Sequence, residues 1–513
     1  MKYLVLVFSL AVILLGPEQR IHAADRPNVL FIASDDMNDW IAPLQGHPQV
    51  KTPNIDRLAA QGVCFSNAHC QSPICNPSRT SLLTGLRPTT TGVYALDPWF
   101  RTSEKWRNLT TLPQYFEENG YYTILTGKIF HDRNQFATVA TDRLEFDLLG
   151  YAGGFGPVPP KKFVETPDKM NLIDWGVYPD RDEDGEDYKV ASWAIEQLKN
   201  MPKDKPFFLS VGFARPHLPL FAPQKWHDLY PEETLLLPPY LENDRDDVPF
   251  VAWYLHWKLP EVGMKWVKEH NQWKPIVRSY LASVSYMDAQ LGRLLDALEK
   301  EGFAQNTIIV FWGDNGWHLG QKELFSKTTL WDPATKVPLI FAGPGIAGRG
   351  LCSQPAELLD IYPTLIDLCG LPNNENLEGL SLSPQLSNPK TVREQPAITT
   401  HGPDNHSVRT ERFRYTLYGD GSEEFYDMQD DPNEWTNRIA DPKYQEEIQK
   451  LEKWIPKTPA APLPGSRNRL VEKKDGIWYW EGVAIPPDAP VPALGEIPES
   501  HAPRRDKSTN FSP

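Results

Sequence analysis

The chain has 513 residues, of which 40% are hydrophobic and 23% are charged, so it holds enough apolar material for a large folded core. Its formal net charge of −15 argues against a sequence-independent nucleic-acid binder, because such proteins are basic. The same acidity means that an anionic substrate would need positive charge concentrated in one local site.

The first 24 residues predict an exported protein. Lys2 precedes an apolar run over residues 3–15, and small residues follow at Ala23 and Ala24. A run of this length is typical of a cleaved signal peptide and is too short to span a bilayer. We therefore expect a secreted or periplasmic protein with no membrane span.

Beyond this segment, hydrophobic patterns of strand type alternate with amphipathic helical patterns. In chain order they predict a strand over 26–36, a helix ending at 62, a helix and a strand over 112–128, a helix over 191–200, a strand over 205–217, a helix over 286–302, a strand over 306–316, and a further strand and helix over 337–345 and 357–370. Strands that alternate with helices predict an α/β sheet.

Polar residues follow the ends of several predicted strands. They are Asp35 and Asp36, Lys128, His217 and Asp314. Open α/β sheets bind ligands at the edge where the strands end, so we expect these residues to share one rim although they lie far apart in sequence.

Two pairs of oxygen ligands lie on this rim, Asp35–Asp36 and Asp314–Asn315. Hard oxygen ligands suit Ca²⁺ or Mg²⁺ better than zinc or copper. A single Asp after a strand is usually a helix cap or a turn residue. Two such pairs, each ending a buried strand, favour a metal site.

The five cysteines are an odd number for an exported protein. Cys64, Cys70, Cys352 and Cys369 could form up to two disulfides, and the pairing stays open. Cys75 is the natural residue left over. A free thiol in an oxidising compartment is a liability unless it has a use.

After about residue 389 the pattern changes, so we expect a main α/β domain over 25–389. Short strands and a helix predict a smaller α+β subdomain over 390–455. The proline-rich range 456–513 predicts an extended segment that wraps the surface and has a loose end.

The pattern C-x-P-S-R at Cys75–Arg79 resembles the maturation signal of the type I sulfatases. Further segments resemble that family in its order: TPNIDRLAAQGVCFSNAHC, PSRTSLLTGLRP, GKIFH, RPHLP, GDNGWHLGQ and FYDMQDDPNEWTN. The resemblance runs from Pro27 to Ile455 and leans towards the iduronate-2-sulfatase branch through DDMNDW, GKIFH, RPHLP and LFSKTTLWDPATKVPLI.

This resemblance implies an alkaline-phosphatase-like fold, with a large mixed sheet flanked by helices and a smaller C-terminal α+β subdomain. It also implies that a formylglycine-generating or sulfatase-maturing enzyme oxidises Cys75 to formylglycine (3-oxoalanine). The hydrated aldehyde is a geminal diol, of which one hydroxyl binds the metal and attacks. The other later collapses the covalent ester, so that sulfate leaves by elimination and the aldehyde returns.

The family's site residues carry over to matching positions here. Asp35, Asp36, Asp314 and Asn315 resemble its calcium ligands, and modified Cys75 would complete the site.

Five further residues carry implied catalytic roles. Arg79, one helical turn after Cys75, would hold the diol and sulfate oxygens. The resemblance has Lys128 contacting sulfate and His131 assisting deprotonation of the diol. His217 would bind sulfate and protonate the leaving sugar oxygen, and Lys327 resembles the second lysine at the leaving group.

Two departures leave iduronate specificity open. Asn315 stands where iduronate-type enzymes commonly carry histidine, and the stretch after HLG is QKELF. His318 and Lys322 could read sugar or carboxylate groups, or could face solvent.

We therefore expect a secreted sulfatase that hydrolyses sulfate esters of a carbohydrate, with 2-O-sulfated uronic acid residues of a sulfated polysaccharide as one candidate substrate. Two alternatives remain. One is a phosphoester or phosphonate monoester hydrolase of the same superfamily, and the other is a non-catalytic protein that binds sulfated glycans. The sequence leaves the sugar, the sulfate position, exo or endo action and the oligomeric state open.

Overall fold

The computed structural model of the chain describes residues 26–132, 134 and 144–486. The predicted signal peptide and the end of the predicted C-terminal extension lie outside the described residues. Within these ranges, no helix has both the length and the apolar composition that a membrane span requires.

The described residues form strands and α-helices in the alternating order that the sequence predicts. The strands are β1 (Asn28–Asp35), β2 (Gly62–Phe65), β3 (Ala68–His69), β4 (Tyr122–Gly127), β5 (Leu148–Leu149), β6 (Trp175–Val177), β7 (Phe207–Pro216), β8 (Leu220–Ala222), β9 (Thr307–Gly313), β10 (Leu339–Ala342), β11 (Gly350–Cys352), β12 (Ala356–Glu357), β13 (Ala397–His401), β14 (Asn405–Arg409), β15 (Phe413–Leu417), β16 (Glu423–Asp427), β17 (Val471–Lys474), β18 (Ile477–Trp480) and β19 (Val483–Ala484). The helices are α1 (Pro53–Ala60), α2 (Cys75–Thr84), α3 (Pro88–Thr91), α4 (Leu112–Glu118), α5 (Glu186–Lys199), α6 (Gln224–His227), α7 (Phe250–Tyr254), α8 (Met264–Glu269), α9 (Trp273–Lys300), α10 (Asp332–Thr335), α11 (Ile361–Leu368), α12 (Ser383–Ser387) and α13 (Gln445–Glu452).

The main sheet has eight strands in the order β11-β2-β10-β9-β1-β7-β4-β5. Its centre is parallel, because β1 pairs in parallel with β9 and β7, and β7 pairs in parallel with β4. The strand β10 runs antiparallel to β9 and β2, so the sheet is mixed. The predicted α/β class with a large mixed sheet is confirmed.

Both faces of this sheet are covered. Every residue of β1 is buried, and its side chains alternate between two apolar cores. Leu30 and Ile32 join the core under α1, α5 and α9, whereas Val29 and Phe31 join the core under α2, α4 and α11. Burial on both faces is typical of parallel sheets, and it explains why their strands are continuously apolar.

The four central parallel strands end at one edge. There β1 ends at Asp35, and β4, β7 and β9 are followed directly by Lys128, His217 and Asp314. Because neighbouring parallel strands share their direction, residues that are far apart in sequence meet at this edge.

A second, smaller sheet follows the main one. The strands β13 to β16 form a four-stranded antiparallel sheet within the range predicted for the α+β subdomain. Helix α13 covers it, with Ile448 and Leu451 packed against Tyr415 and Phe425.

The prediction of extended chain after residue 456 is wrong for residues 471–484, which form the three-stranded antiparallel sheet β17–β19. Its buried Trp478 and Trp480 share an apolar core with Trp331 and Tyr426. Surrounding prolines and charged residues obscured the strand pattern, and the stabilising partners lie far away in sequence.

The cysteines form no disulfide: all five are free and buried. Leu351 lies opposite Cys64 in the pairing of β11 with β2, so Cys352 points to the other face. Cys64 belongs to one core of the main sheet, whereas Cys70, Cys352 and Cys369 belong to the other. The two disulfides that the sequence left open are therefore absent.

Replacing Trp480 by Ala is expected to lower the free energy of unfolding by about 3–5 kcal/mol, since a buried aromatic ring that leaves a cavity costs this much. The Trp480 side chain is 3% exposed. Chemical denaturation measures the change. Val483→Ala, at a position 56% exposed on the same sheet, is the matched control and should stay within about 0.5 kcal/mol. Equal stability of Trp480→Ala and the unchanged chain would mean that this sheet is not packed on the core.

Candidate active site

Cys75 is the first residue of α2, and every residue of this helix is buried. Ile74 before it is extended, with φ −159° and ψ 141°, so the helix begins abruptly. Pro77 lies in the first turn, where a missing amide hydrogen costs nothing. The helix ends at Gly85, whose φ of +72° only glycine adopts easily. Cys75 therefore lies at the positive end of the helix dipole.

A left-handed residue ends β1. Asp36 has φ 59°, a conformation that Asp tolerates better than most residues. Its carbonyl accepts a hydrogen bond of 2.9 Å from the Tyr280 hydroxyl. In a continuing strand, Asp35 and Asp36 would point to opposite faces. The turn brings both carboxylates to one place, where their Oδ1 atoms lie 3.5 and 3.9 Å from Cys75 Sγ.

A cluster of oxygen ligands forms where β1 and β9 end. One carboxylate oxygen each of Asp35, Asp36 and Asp314 lies within 4.8 Å of the others. The Asn315 amide nitrogen donates to Asp36 Oδ1 at 2.8 Å. Two buried oxygens, Asp36 Oδ2 and Asn315 Oδ1, accept no hydrogen bond from any described residue. An oxygen-only ligand set with two free acceptors fits a hard cation such as Ca²⁺.

Two lysines reach the cluster from opposite sides. Lys128 Nζ donates to Asp35 Oδ2 at 2.5 Å. Lys327 Nζ donates to Asp36 Oδ1 and, at 2.9 Å, to Cys75 Sγ. A buried ammonium group needs such partners, because an unpaired charge in a dry site is costly.

Arg79 is fully buried and binds two carboxylates of the cluster. Its Nε donates to Asp314 Oδ2 at 2.7 Å, and its Nη2 donates to Asp35 Oδ1 at 3.4 Å. Its Nη1 donates to the carbonyls of Lys128 and Ile129, at 2.7 and 2.9 Å. Most of the five N–H groups of this guanidinium thus bind protein oxygens. Its geometry positions the carboxylates and leaves little donor capacity for the diol and sulfate oxygens that the resemblance assigns to it.

His217 lies at the opening of the site. Its Nδ1 donates to the Leu218 carbonyl at 2.6 Å, and its ring stacks on Phe155 with centroids 4.4 Å apart. Its Nε2 lies 3.6 Å from Asp36 Oδ2. Burial lowers the pKa of His217 to about 4, so the ring is neutral at neutral pH and Nε2 carries the lone pair.

His131 lies beside Lys128 rather than inside the cluster. Its Nε2 is 3.7 Å from Asp132 Oδ2, and its side chain is 12% exposed. Burial and the positive charge of Lys128 lower the pKa of His131 well below its ordinary value, so it too is neutral.

The protonation of the cluster follows from burial and pairing. Burial acts to raise the pKa of Asp35, but Lys128 and the other nearby cations hold it well below its ordinary value. Burial raises the pKa of Asp314 to about 6, which still leaves it ionised at neutral pH. Burial also raises the pKa of the Cys75 thiol, which therefore stays protonated and is a weak nucleophile.

The charges of the site nearly cancel. Its three carboxylates face three cations, namely Arg79, Lys128 and Lys327. A bound divalent cation would leave the site positive and attractive to an anion. Cys75 is 1% exposed, whereas the His217 side chain is 17% exposed, so His217 is the more accessible of the two to solvent.

The structure thus brings the predicted metal ligands, both lysines, Arg79 and His217 to one site, with His131 at its edge. His318 and Lys322, however, neither face solvent nor point into a substrate site. His318 bonds Thr329 Oγ1 at 2.7 Å, and Lys322 Nζ donates to Asp244 Oδ1 at 2.8 Å. Both side chains are buried among protein partners because the loops that carry them fold back on the chain.

Sequence reasoning missed Phe155, which stacks on His217, and Arg469, which forms an ion pair with Glu261. Arg469 lies in the range 456–513, which the sequence predicts to be an extended segment. One basic residue before the short apolar pair Leu470–Val471 was its only local signal.

Comparison with known proteins gives matches over most of the chain. The family model "Sulfatase" matches residues 27–371, and the model "N-sulphoglucosamine sulphohydrolase, C-terminal" matches residues 320–460. A sulfatase from Formosa agariphila is 42% identical over 451 residues, which cover 85% of this chain and 87% of the relative. The iduronate 2-sulfatase of Homo sapiens is 34% identical over 424 residues, which cover 72% of this chain and 74% of the relative.

A solved structure shares the fold. It was determined in complex with its substrate D-glucosamine-2-N,6-O-disulfate, and it matches with a TM-score of 0.64 at 23% identity. The match covers 83% of this chain and 96% of that chain. The alkaline-phosphatase-like architecture expected from the sequence is confirmed.

Calcium is expected to raise the free energy of unfolding by about 3 kcal/mol when its concentration is about 100 times its Kd, because the oxygen cluster forms only in the folded chain. Thermal unfolding in Ca²⁺ and in chelator measures the gain. Asp36→Asn should lose most of it. Asp430→Asn, at a side chain 63% exposed, is the control and should keep it. Identical unfolding temperatures with calcium and with chelator would contradict a cation site here.

Proposed function

The chain belongs to the sulfatase family and is a sulfuric ester hydrolase, and from this premise we propose that it is a secreted or periplasmic enzyme that removes sulfate from a carbohydrate. One observation carries the proposal: the buried side chain of Cys75 contacts Lys327 and two carboxylates of an oxygen cluster. A metal, a modified side chain and a bound anion would all meet there.

We propose that a separate maturing enzyme oxidises Cys75 to formylglycine. The hydrated aldehyde would supply a nucleophilic hydroxyl and a second hydroxyl through which sulfate is later expelled. Without this conversion, Cys75 would be a weak nucleophile, because burial raises the pKa of its thiol and keeps it protonated. Its position at the first turn of α2 adds favourable backbone N–H groups for an anion.

The proposed metal is Ca²⁺, held by Asp35, Asp36, Asp314 and Asn315 together with modified Cys75. It would supply positive charge where negative charge develops at sulfur. The free acceptors Asp36 Oδ2 and Asn315 Oδ1 are the atoms that support its placement.

The lysines would contact the sulfate ester, Lys128 at the sulfate group and Lys327 at the leaving group. Lys128 and Lys327 are nearly buried, so their contacts with anionic oxygens are strong in this dry site. In the structure they contact Asp35 and Asp36, and a bound cation would free them for substrate by taking over these carboxylates. Arg79 would keep Asp35 and Asp314 in place throughout, as its hydrogen bonds indicate.

His217 would act as the general acid. Its Nδ1–H is fixed on the Leu218 carbonyl and Phe155 fixes its plane, so Nε2 is the atom that faces the site. An anion bound nearby favours the imidazolium form, which can hand its Nε2 proton to the leaving sugar oxygen. His131 is neutral, so its ring can accept a proton from the group at position 75.

Two similar proteins support a carbohydrate substrate. One is named iduronate 2-sulfatase, and the structure of the other was determined with D-glucosamine-2-N,6-O-disulfate. We propose a sulfated sugar as substrate, with a 2-O-sulfated uronic acid residue as the first candidate.

Cys75→Ala is expected to lower sulfate release at least about 10³-fold, because removing the nucleophile of a covalent mechanism costs this much or more. Released sulfate measures the rate, and mass spectrometry of the Cys75 peptide measures conversion to the aldehyde. Cys369→Ala is the matched control, since Cys369 is equally buried but lies at the end of α11. Near-normal sulfate release by Cys75→Ala would refute the mechanism.

His217→Gln is expected to slow hydrolysis of a sugar sulfate about 10²–10⁴-fold, the usual contribution of a general acid. It should slow hydrolysis of an aryl sulfate much less, because a phenolate leaves without a proton. The comparison of the two rates is the measurement. His270→Gln, at an exposed position, is the control and should change neither rate. An equal loss on both substrates would show that His217 does not protonate the leaving group.

A further inference from the structure

The chain segment 467–471 borders the active site. Asn76, the residue after Cys75, donates hydrogen bonds of 2.9 and 3.2 Å to carbonyl groups of the loop 95–98. The same loop pairs with residues 467 and 468 through backbone hydrogen bonds of 3.1–3.3 Å. The C-terminal sheet is therefore connected to the residues around Cys75 by a short chain of contacts.

A second chain of contacts reaches the segment from the side of Lys327. Leu324, three residues before Lys327, pairs with Gly263 in an antiparallel bridge. Glu261, two residues before Gly263, forms an ion pair with Arg469 Nη2. Arg469 is thus linked through Glu261 to the segment that carries Lys327, and through residues 467 and 468 to the loop that contacts Asn76.

The Arg469 side chain forms an ion pair through Nη2, whereas its Nη1 forms no hydrogen bond with any described residue. The side chain is 15% exposed, and its Nη1 is buried. The backbone of Arg469 is left-handed, with φ 69°, and its N–H donates to Glu481 Oε1 at 2.7 Å. A left-handed non-glycine residue that is fixed in this way is uncommon, and such residues often aim a side chain at a functional site.

Two histidines with free ring nitrogens are near neighbours. His401 Nε2 donates to the Leu255 carbonyl at 3.3 Å, so its Nδ1 carries a lone pair. His256 Nε2 accepts from Arg245 at 2.7 Å, so its Nδ1 carries the hydrogen. Neither Nδ1 forms a hydrogen bond within the described ranges. The three free groups are a cationic donor, a neutral acceptor and a neutral donor.

Packing places these histidines beside the arginine segment. Gly402, the residue after His401, lies so close to Val471 that a Cβ on it would be 2.3 Å from the Val471 carbonyl oxygen.

Arg469 lies outside the part of the chain that the family models cover, since their matches end at residue 460. It is therefore not one of the residues to which the resemblance assigns a role.

From these observations we infer that Arg469 forms a second anion-binding subsite, which recognises a carboxylate or a further sulfate on the same substrate as the scissile sulfate. The inference rests on the proposed function. Arg469 Nη1 would bind the second anion, and the free nitrogens of His401 and His256 would bind neighbouring hydroxyl groups. A guanidinium suits both candidate anions because its N–H groups match their paired oxygens.

The test measures binding rather than turnover. The full-length Cys75→Ala chain binds substrate without hydrolysing it, whether or not maturation occurs. Titration calorimetry compares a disaccharide with a 2-O-sulfated uronic acid against its carboxyl-reduced form, and N,6-disulfated glucosamine against 6-sulfated glucosamine. We expect the doubly anionic member of one pair to bind about 10–100-fold more tightly, the usual worth of a charged hydrogen bond. The pair that shows the preference identifies the second anion as a carboxylate or a sulfate.

Substitutions in the same background assign the preference to Arg469. Arg469→Ala should reduce it to within about twofold, and Arg469→Lys should retain part of it. Glu261→Gln should keep it, because Arg469 retains its charge. Arg467→Ala, at a side chain 75% exposed on the same segment, is the matched control and should bind like the unchanged protein. Thermal unfolding of each variant shows that it is folded.

The inference would be overturned by equal binding within both pairs, by no binding of any probe, or by a preference that survives Arg469→Ala. It would also be overturned if Glu261→Gln lost the binding preference, because the Arg469–Glu261 ion pair would then have a structural role. The proposed function is tested separately by sulfate release from the matured chain. Absence of sulfate release would contradict the proposed function without affecting the measured binding preference. Absence of the binding preference would contradict the subsite without affecting sulfate release.

Discussion

The pairing of Asp35 with Arg79 and Lys128 is the interaction on which the rest of the site depends. Asp35 is fully buried, and its carboxylate oxygens accept hydrogen bonds from both cations. A buried carboxylate without such partners would cost several kcal/mol or would take up a proton. Because Arg79 also binds Asp314, one guanidinium connects the ends of β1 and β9. The position of Cys75 follows, since it lies one helical turn before Arg79 on α2.

The scaffold explains how this pairing becomes possible. Parallel strands end together, so the sheet brings acids from β1 and β9 to the same edge as Lys128 after β4 and His217 after β7. The left-handed backbone at Asp36 then adds the second carboxylate. The result is a pocket in which positive and negative groups nearly cancel, and in which a divalent cation would decide the sign of the field that a sulfate ester meets.

The C-terminal segment contributes one further cation, Arg469. A chain with a net charge of −15 binds an anion only where cations converge. Arg469 adds a cation from a sheet that packs on Trp331 and Tyr426, and the catalytic family models do not extend to it. In our proposal, the residues at the strand ends carry the chemistry, whereas a later part of the chain contributes to substrate selection.

The amino-acid sequence by itself determined the α/β class, the strands that carry polar residues at their ends and the segment around Cys75. These features are local, because hydrophobic periodicity and short motifs record what each residue needs from its near neighbours. Tertiary structure alone decided that the N–H groups of Arg79 bind protein oxygens and that His318 and Lys322 are buried among protein groups. It also decided that the cysteines lie in different cores, that residues 471–484 form a packed sheet and that Arg469 pairs with Glu261. Most of these outcomes depend on partners that are tens to hundreds of residues away, and a local pattern carries no record of which distant groups a side chain will meet.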